Sequence, residues 1–159
     1  MPKKLVSLLT LPLASAALLV AVPTAAQASP QLESHCRYPY TLSVGGVTWT
    51  VQPCIDYYDY SSVGGQPEVW ADVDAWNGST FVYLSAEVGR QQCLNRCGAV
   101  NWQSSTKTWF PVYPGNVYTN RQYSPPVPPV SDFCYYAKTT MLDSRIGEVG
   151  DVESPSMCF

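Results

Sequence analysis

Acids and large aromatics alternate in Trp70-Ala71-Asp72-Val73-Asp74-Ala75-Trp76, the stretch with the most chemical potential in the chain. Such alternation fits a β-strand, where every second side chain shares a face. Asp72 and Asp74 would then project together, about 7 Å apart at the backbone. A carboxylate pair can serve a small hydrolase as acid and base. Aromatics beside acids can equally bind, because Trp and Tyr dominate protein interface hot spots and offer flat apolar faces to sugar rings. Tyr83, seven residues beyond Trp76, belongs to the same face if the chain doubles back at Asn77-Gly78. The expected binding surface is therefore Trp70, Asp72, Asp74, Trp76 and Tyr83, and Tyr57-Tyr58-Asp59-Tyr60 and Tyr135-Tyr136 supply further aromatics.

Other chemistries have weaker support. His35 is the one histidine and sits beside Cys36 near the amino end, a poor place for an oriented general base, and thiols held in disulfides leave no cysteine nucleophile. Cys93-x-x-x-Cys97 loosely fits a zinc spacing, but six cysteines with one histidine read as disulfides rather than a metal centre. Asp72-x-Asp74-x-Trp76-Asn77-Gly78 departs from a calcium loop: Trp stands where an Asp or Asn ligand is needed, and the glycine comes one place late. Asn77-Gly78-Ser79 matches a glycosylation sequon, although a turn already accounts for all three residues. No catalytic residue, metal or cofactor is assigned.

The cysteines point to an oxidising compartment, and the amino end says how the chain reaches it. Lys3 and Lys4 precede an apolar run from Leu5 to about Val22, and Ala26-Gln27-Ala28 gives the small-x-small pattern of a signal peptidase site. Residues 1–28 are expected to be a signal peptide cleaved after Ala28, leaving a secreted domain over 29–159. All twelve acidic residues but only seven of the nine basic ones lie in that domain. It has no basic cluster to neutralise phosphates, which argues against nucleic acid, and no later run is long enough to span a membrane.

Tyr, Trp, Val and Thr favour strands, and the Gly, Pro and Asn between them form turns. The expected fold is all-β: a single antiparallel β-sandwich-like domain stapled by three disulfides. In the hairpin around Gly45-Gly46, Val44 should face Val47, Leu42 face Trp49 and Tyr40 face Val51. Carried outward, this register brings Cys36 almost opposite Cys54. Cys93–Cys97 and Cys134–Cys158 complete the set by proximity. A second hairpin is expected from Glu68 to Val88 around Asn77-Gly78, with Val69, Ala71, Val73, Ala75, Val82, Leu84 and Ala86 on its core face. A short helical turn is expected near 90–98. Strands should flank Pro114-Gly115-Asn116, an extended proline segment should run over Ser124–Val130, and a late strand should occupy Phe133–Leu142.

This build, a signal peptide and one stapled β domain without a catalytic set, is similar to that of small secreted enzyme inhibitors and adaptor subunits of exported assemblies. The expectation is a non-enzymatic module that docks on another secreted or cell-surface protein. A carbohydrate-binding domain is the alternative, and a hydrolase using Asp72 or Asp74 comes third.

Overall fold

The structure is a computed structural model that describes residues 31–115 and 118–159, with 118–122 as backbone. The expected signal peptide, and Asn116 of the Pro-Gly-Asn turn, lie outside the described residues. Eleven strands are described: β1 (Gln31–Cys36), β2 (Tyr40–Val44), β3 (Val47–Asp59), β4 (Glu68–Trp76), β5 (Val82–Gln92), β6 (Asn101–Trp102), β7 (Thr108–Val112), β8 (Tyr118–Tyr123), β9 (Phe133–Asp143), β10 (Gly147–Glu153) and β11 (Met157–Cys158). All the pairings are antiparallel. The strands form two sheets, β1-β3-β4-β8 with β2 added on β3, and β10-β9-β5-β6 with β7 on β5 and β11 on β9.

The first hairpin has the register that a two-residue glycine turn requires. Val44 pairs with Val47, Leu42 with Trp49 and Tyr40 with Val51. Gly45 and Gly46 both have positive φ, 58° and 80°, the left-handed region that a Cβ disfavours. Beyond the break at 37–39 the same edge of β3 is taken over by β1, with Cys36 opposite Cys54. Pro53 stands at this changeover. Its carbonyl accepts from Arg37 N–H at 3.1 Å, so the donor that proline lacks would face the edge where one partner strand gives way to the next.

The second expected hairpin does not form. β4 lies in the first sheet and β5 in the second, so residues 77–81 cross between layers instead of turning back within one. Two backbone features explain the difference. A type I′ turn needs positive φ at both central residues, but only Asn77 has it, at 54°. The crossing is also held down on β3: Ser79 N–H donates to Thr48 O at 2.9 Å, and Trp49 Nε1–H donates to Thr80 O at 2.8 Å.

The sidedness expected for this region survives the change of topology. Val69, Ala71, Val73 and Ala75 from β4 meet Val82, Leu84, Ala86 and Val88 from β5 in one core with Trp49, Ile55, Tyr135 and Met141. Each β-branched or larger aliphatic side chain in that layer contributes about 1.5–3 kcal/mol by leaving water.

The helical turn expected near 90–98 is also corrected. β5 continues to Gln92, where Gln91 and Gln92 pair with Cys134 and Phe133 of β9. Residues 93–97 then form a tight loop closed by the Cys93–Cys97 disulfide, and Gly98 N–H donates to Gln92 O at 3.0 Å. The helical segments described are single 3-10 turns at Ser61–Val63 and Ser104–Thr106. Cys36–Cys54 and Cys134–Cys158 are the other disulfides, and each joins directly opposed strand residues. Three disulfides in a domain of this size fit an extracellular protein.

The proline segment is extended, and it is also bonded. Val127, the non-proline at its middle, exchanges both backbone hydrogen bonds with Val69 at 2.8 and 2.9 Å. Ser124 N–H donates to Ala71 O, and its hydroxyl accepts from Ala71 N–H. The segment thus seals the edge of β4 that β8 leaves open, which removes a template for strand addition.

Candidate functional site

Alternation puts the even-numbered residues of β4 on the outside of the first sheet, and neighbouring strands decide what surrounds them. Asp56 of β3 is opposite Trp70, Cys54 is opposite Asp72, Gln52 is opposite Asp74 and Thr50 is opposite Trp76. On the other flank Tyr123 of β8 is opposite Asp72. Tyr58, two residues beyond Asp56, shares this face.

The result is an aromatic cluster centred on Trp70. Its ring centroid is 6.1 Å from that of Tyr58 and 5.6 Å from that of Tyr123, both edge-on, at interplanar angles of 63° and 78°. Tyr58 in turn stacks on Tyr60 at 5.8 Å and 9°. These are the favourable edge-to-face and offset geometries of aromatic pairs. Tyr58, Tyr60, Trp70 and Tyr123 line a cavity of about 330 Å³.

Asp56 is fully buried beneath this face, although it lies on the outward side of the sheet. The Ser34 hydroxyl donates to its Oδ1, while Oδ2 has no hydrogen-bond partner among the described residues. Trp70 Nε1 is likewise buried without a partner among them. Asp72 is buried as well, at 1 % exposure, and has an interaction partner, as does half-buried Asp74. A buried Asp72 is not the surface charge that its place in the sequence suggests. The two carboxylates sit in a paired sheet, and the cavity beside them is lined by rings.

Of the five expected surface residues, the structure brings four together. Trp70, Asp72, Asp74 and Trp76 share the outside of the first sheet. Tyr83 does not join them. It pairs with Pro111 and Leu142 in the second sheet and packs against Phe81, ring centroids 5.1 Å apart, on the opposite side of the sandwich. The reason is the crossing at 77–81: alternation assigns a residue to the inside or outside of a sheet without saying which sheet. In Tyr83's place stand Tyr58, Tyr60 and Tyr123.

His35 is engaged at both ring nitrogens. Nδ1 is 2.7 Å from Ser156 O and Nε2 is 3.0 Å from Glu33 Oε1, so the ring ties β1 to the carboxyl-terminal segment. Among the described residues no three His, Cys, Asp or Glu side chains are grouped to hold a metal ion.

A second polar cluster, on the outside of the other sheet, has no local sequence signal. Glu87 is 4 % exposed, with Lys138 Nζ at 3.6 Å and Lys107 Nζ at 3.7 Å from its carboxylate. Each lysine also lies over a tryptophan ring, Lys138 on Trp102 at 4.1 Å and Lys107 on Trp109 at 4.8 Å. Only the pairing of β5 with β7 and β9 brings these residues together.

No known protein family, curated protein or solved structure matches the chain.

Proposed function

We propose that this protein is a secreted, non-enzymatic binding module that docks on another protein as an inhibitor or adaptor, through the outer face of its first sheet around Trp70. The observation that carries this reading is the Trp70 cluster. A half-buried Trp, edged by Tyr58 and Tyr123 and open to a cavity, has the composition and setting of an interface anchor. The anchor is held by paired strands rather than by a loop, so little side-chain order remains to be lost on binding.

Carbohydrate binding is the second reading, favoured by the tyrosine and tryptophan rings that line the cavity, since such rings offer apolar surface to a sugar. Capture experiments distinguish the two. The purified domain is immobilised and exposed to culture fluid of the producing organism, and retained proteins are identified by mass spectrometry. The docking reading expects one or a few proteins retained by the parent and lost with Trp70→Ala. Retention of glycans in a Trp70-dependent manner, with no protein, would replace it by the second reading.

A further inference from the structure

We infer that the cavity lined by Tyr58, Tyr60, Trp70 and Tyr123 binds a small quaternary ammonium ion of the choline class. This goes beyond protein docking and does not require it. Three features of the cavity lead to that ligand.

The first is its wall. The four lining residues among those described are all aromatic, and the negative faces of such rings attract a cation within about 6 Å of a centroid. The second is the acid behind the wall. Asp56 is directly opposite Trp70 across the β3–β4 pair and two residues before Tyr58 on the same face, with cross-strand Cβ atoms about 5 Å apart. Its Oδ2 is buried and has no hydrogen-bond partner among the described residues. A buried carboxyl oxygen costs free energy unless something offsets it, and a cation in the adjacent cavity would do so. A phosphate or carboxylate ligand would be repelled by the same group.

The third feature selects among cations. A primary ammonium carries three N–H donors and must exchange its hydration for three acceptors, which ring faces replace poorly. A quaternary ammonium has no N–H and a bulky, weakly hydrated apolar shell, so aromatic faces and one buried acid meet its needs. At about 330 Å³ the cavity is at the small end of ligand sites, with room for a trimethylammonium head and a short stem.

The test is calorimetric titration of the purified domain with choline and with its uncharged carbon isostere, in which tert-butyl replaces trimethylammonium. Choline should bind at least about tenfold more tightly than the isostere. Tyr60→Ala should weaken choline binding about fivefold or more, whereas Tyr60→Phe, which keeps the ring, should retain it. Tyr60 lies just past the end of β3, so both variants leave the strand ladder intact. Asp56→Asn, if it folds, should lose most of the preference for the charged ligand. Equal binding of choline and isostere, no choline binding at tens of millimolar, or full binding by Tyr60→Ala would each overturn the inference. Trp70-dependent capture of a protein could still succeed in any of those cases, so the two readings fail separately.

Discussion

Gly78 lies flat against the indole of Trp49: a Cβ on Gly78 would stand 2.0 Å from the ring carbons Cε2 and Cζ2. Glycine is needed here for close approach rather than for a left-handed backbone. Trp49 is fully buried, so the ring has no free volume into which it can move. Gly78→Ala should therefore destabilise the domain by about 3 kcal/mol, at the upper end of ordinary overpacking. Denaturant unfolding monitored by tryptophan fluorescence measures it. An alanine variant as stable as the parent would mean that the crossing over Trp49 is looser than described.

The same contact shows why the fold was only partly legible from the sequence. Around Gly45-Gly46 a two-residue turn sets the register, and the register carries through to Cys36 and Cys54. At Asn77-Gly78 the dipeptide is equally suggestive, yet the glycine serves the Trp49 ring and the chain crosses to the other sheet. Alternation alone places Val69, Ala71, Val73, Ala75, Val82, Leu84 and Ala86 on the core side, because a hairpin and a crossing put the same side chains inside. It could not say that Tyr83 faces away from Trp70. Tyr58 and Tyr123 are equally out of reach as ring partners of Trp70, since only the β3-β4-β8 pairing joins them. β10 was hidden for another reason: Gly147, Gly150 and three acids blur its alternation, and a register shift between Glu148 and Gly150 breaks the period.

The Cys36–Cys54 bond closes a loop of 18 residues that already contains the best-defined hairpin. Replacing both cysteines by alanine should cost about 3 kcal/mol, chiefly by freeing the unfolded chain. The variant should keep its native β circular dichroism at low temperature and melt earlier. A midpoint unchanged from the parent would show that the β2–β3 hairpin alone fixes this edge.

Acid should weaken the domain through Asp143. Arg145 holds this carboxyl below its ordinary value of 3.8 by side-chain hydrogen bonds of 2.9 and 3.1 Å and a backbone N–H at 2.8 Å. Asp59 is depressed likewise, by Ser61. A carboxyl depressed in the folded state adds stability that is complete above its unfolded value and is lost as pH falls through the folded one. Thermal melts should be flat above the ordinary aspartate range and should drop below it. Asp143→Asn should be less stable than the parent at neutral pH, with the gap narrowing in acid. A gap that is independent of pH would remove Asp143 from the account.

Glu87 offers a test on the opposite side of the sandwich. Its carboxylate is nearly buried between Lys107 and Lys138, whose side chains are 27 % and 16 % exposed. Glu87→Ala leaves two partly buried ammonium groups facing each other and should cost about 3 kcal/mol. Adding Lys138→Met should recover part of that loss, because the charge that had lost its partner is then gone and the aliphatic stem still covers Trp102. A double-mutant cycle by denaturant unfolding gives the coupling, and additive losses would mean that the pair contributes nothing beyond packing.

Trp70→Ala separates a structural role from a recognition role at the proposed binding face. In the folded protein the indole makes two edge-on ring contacts, with Tyr58 and Tyr123, each worth about 1 kcal/mol beyond simple burial. Truncation should thus lower stability by at least about 2 kcal/mol, lost burial adding to the ring contacts, which a domain with three disulfides and an intact inner core should tolerate. If Trp70 anchors a partner, the same change should also cost about 2 kcal/mol or more of binding. Trp109→Ala is the matched control, because Trp109 is more exposed, at 42 %, but lies on the outside of the other sheet. Asp74→Asn refines the test: a half-buried acid on the same face, two positions beyond Asp72 and so at the rim of the anchor, should chiefly slow association and reduce its salt dependence. Melting temperature and partner affinity measured on all three variants give distinct patterns. Loss of affinity with Trp70→Ala alone supports docking at this face, whereas loss with Trp109→Ala alone would move the interface to the other sheet.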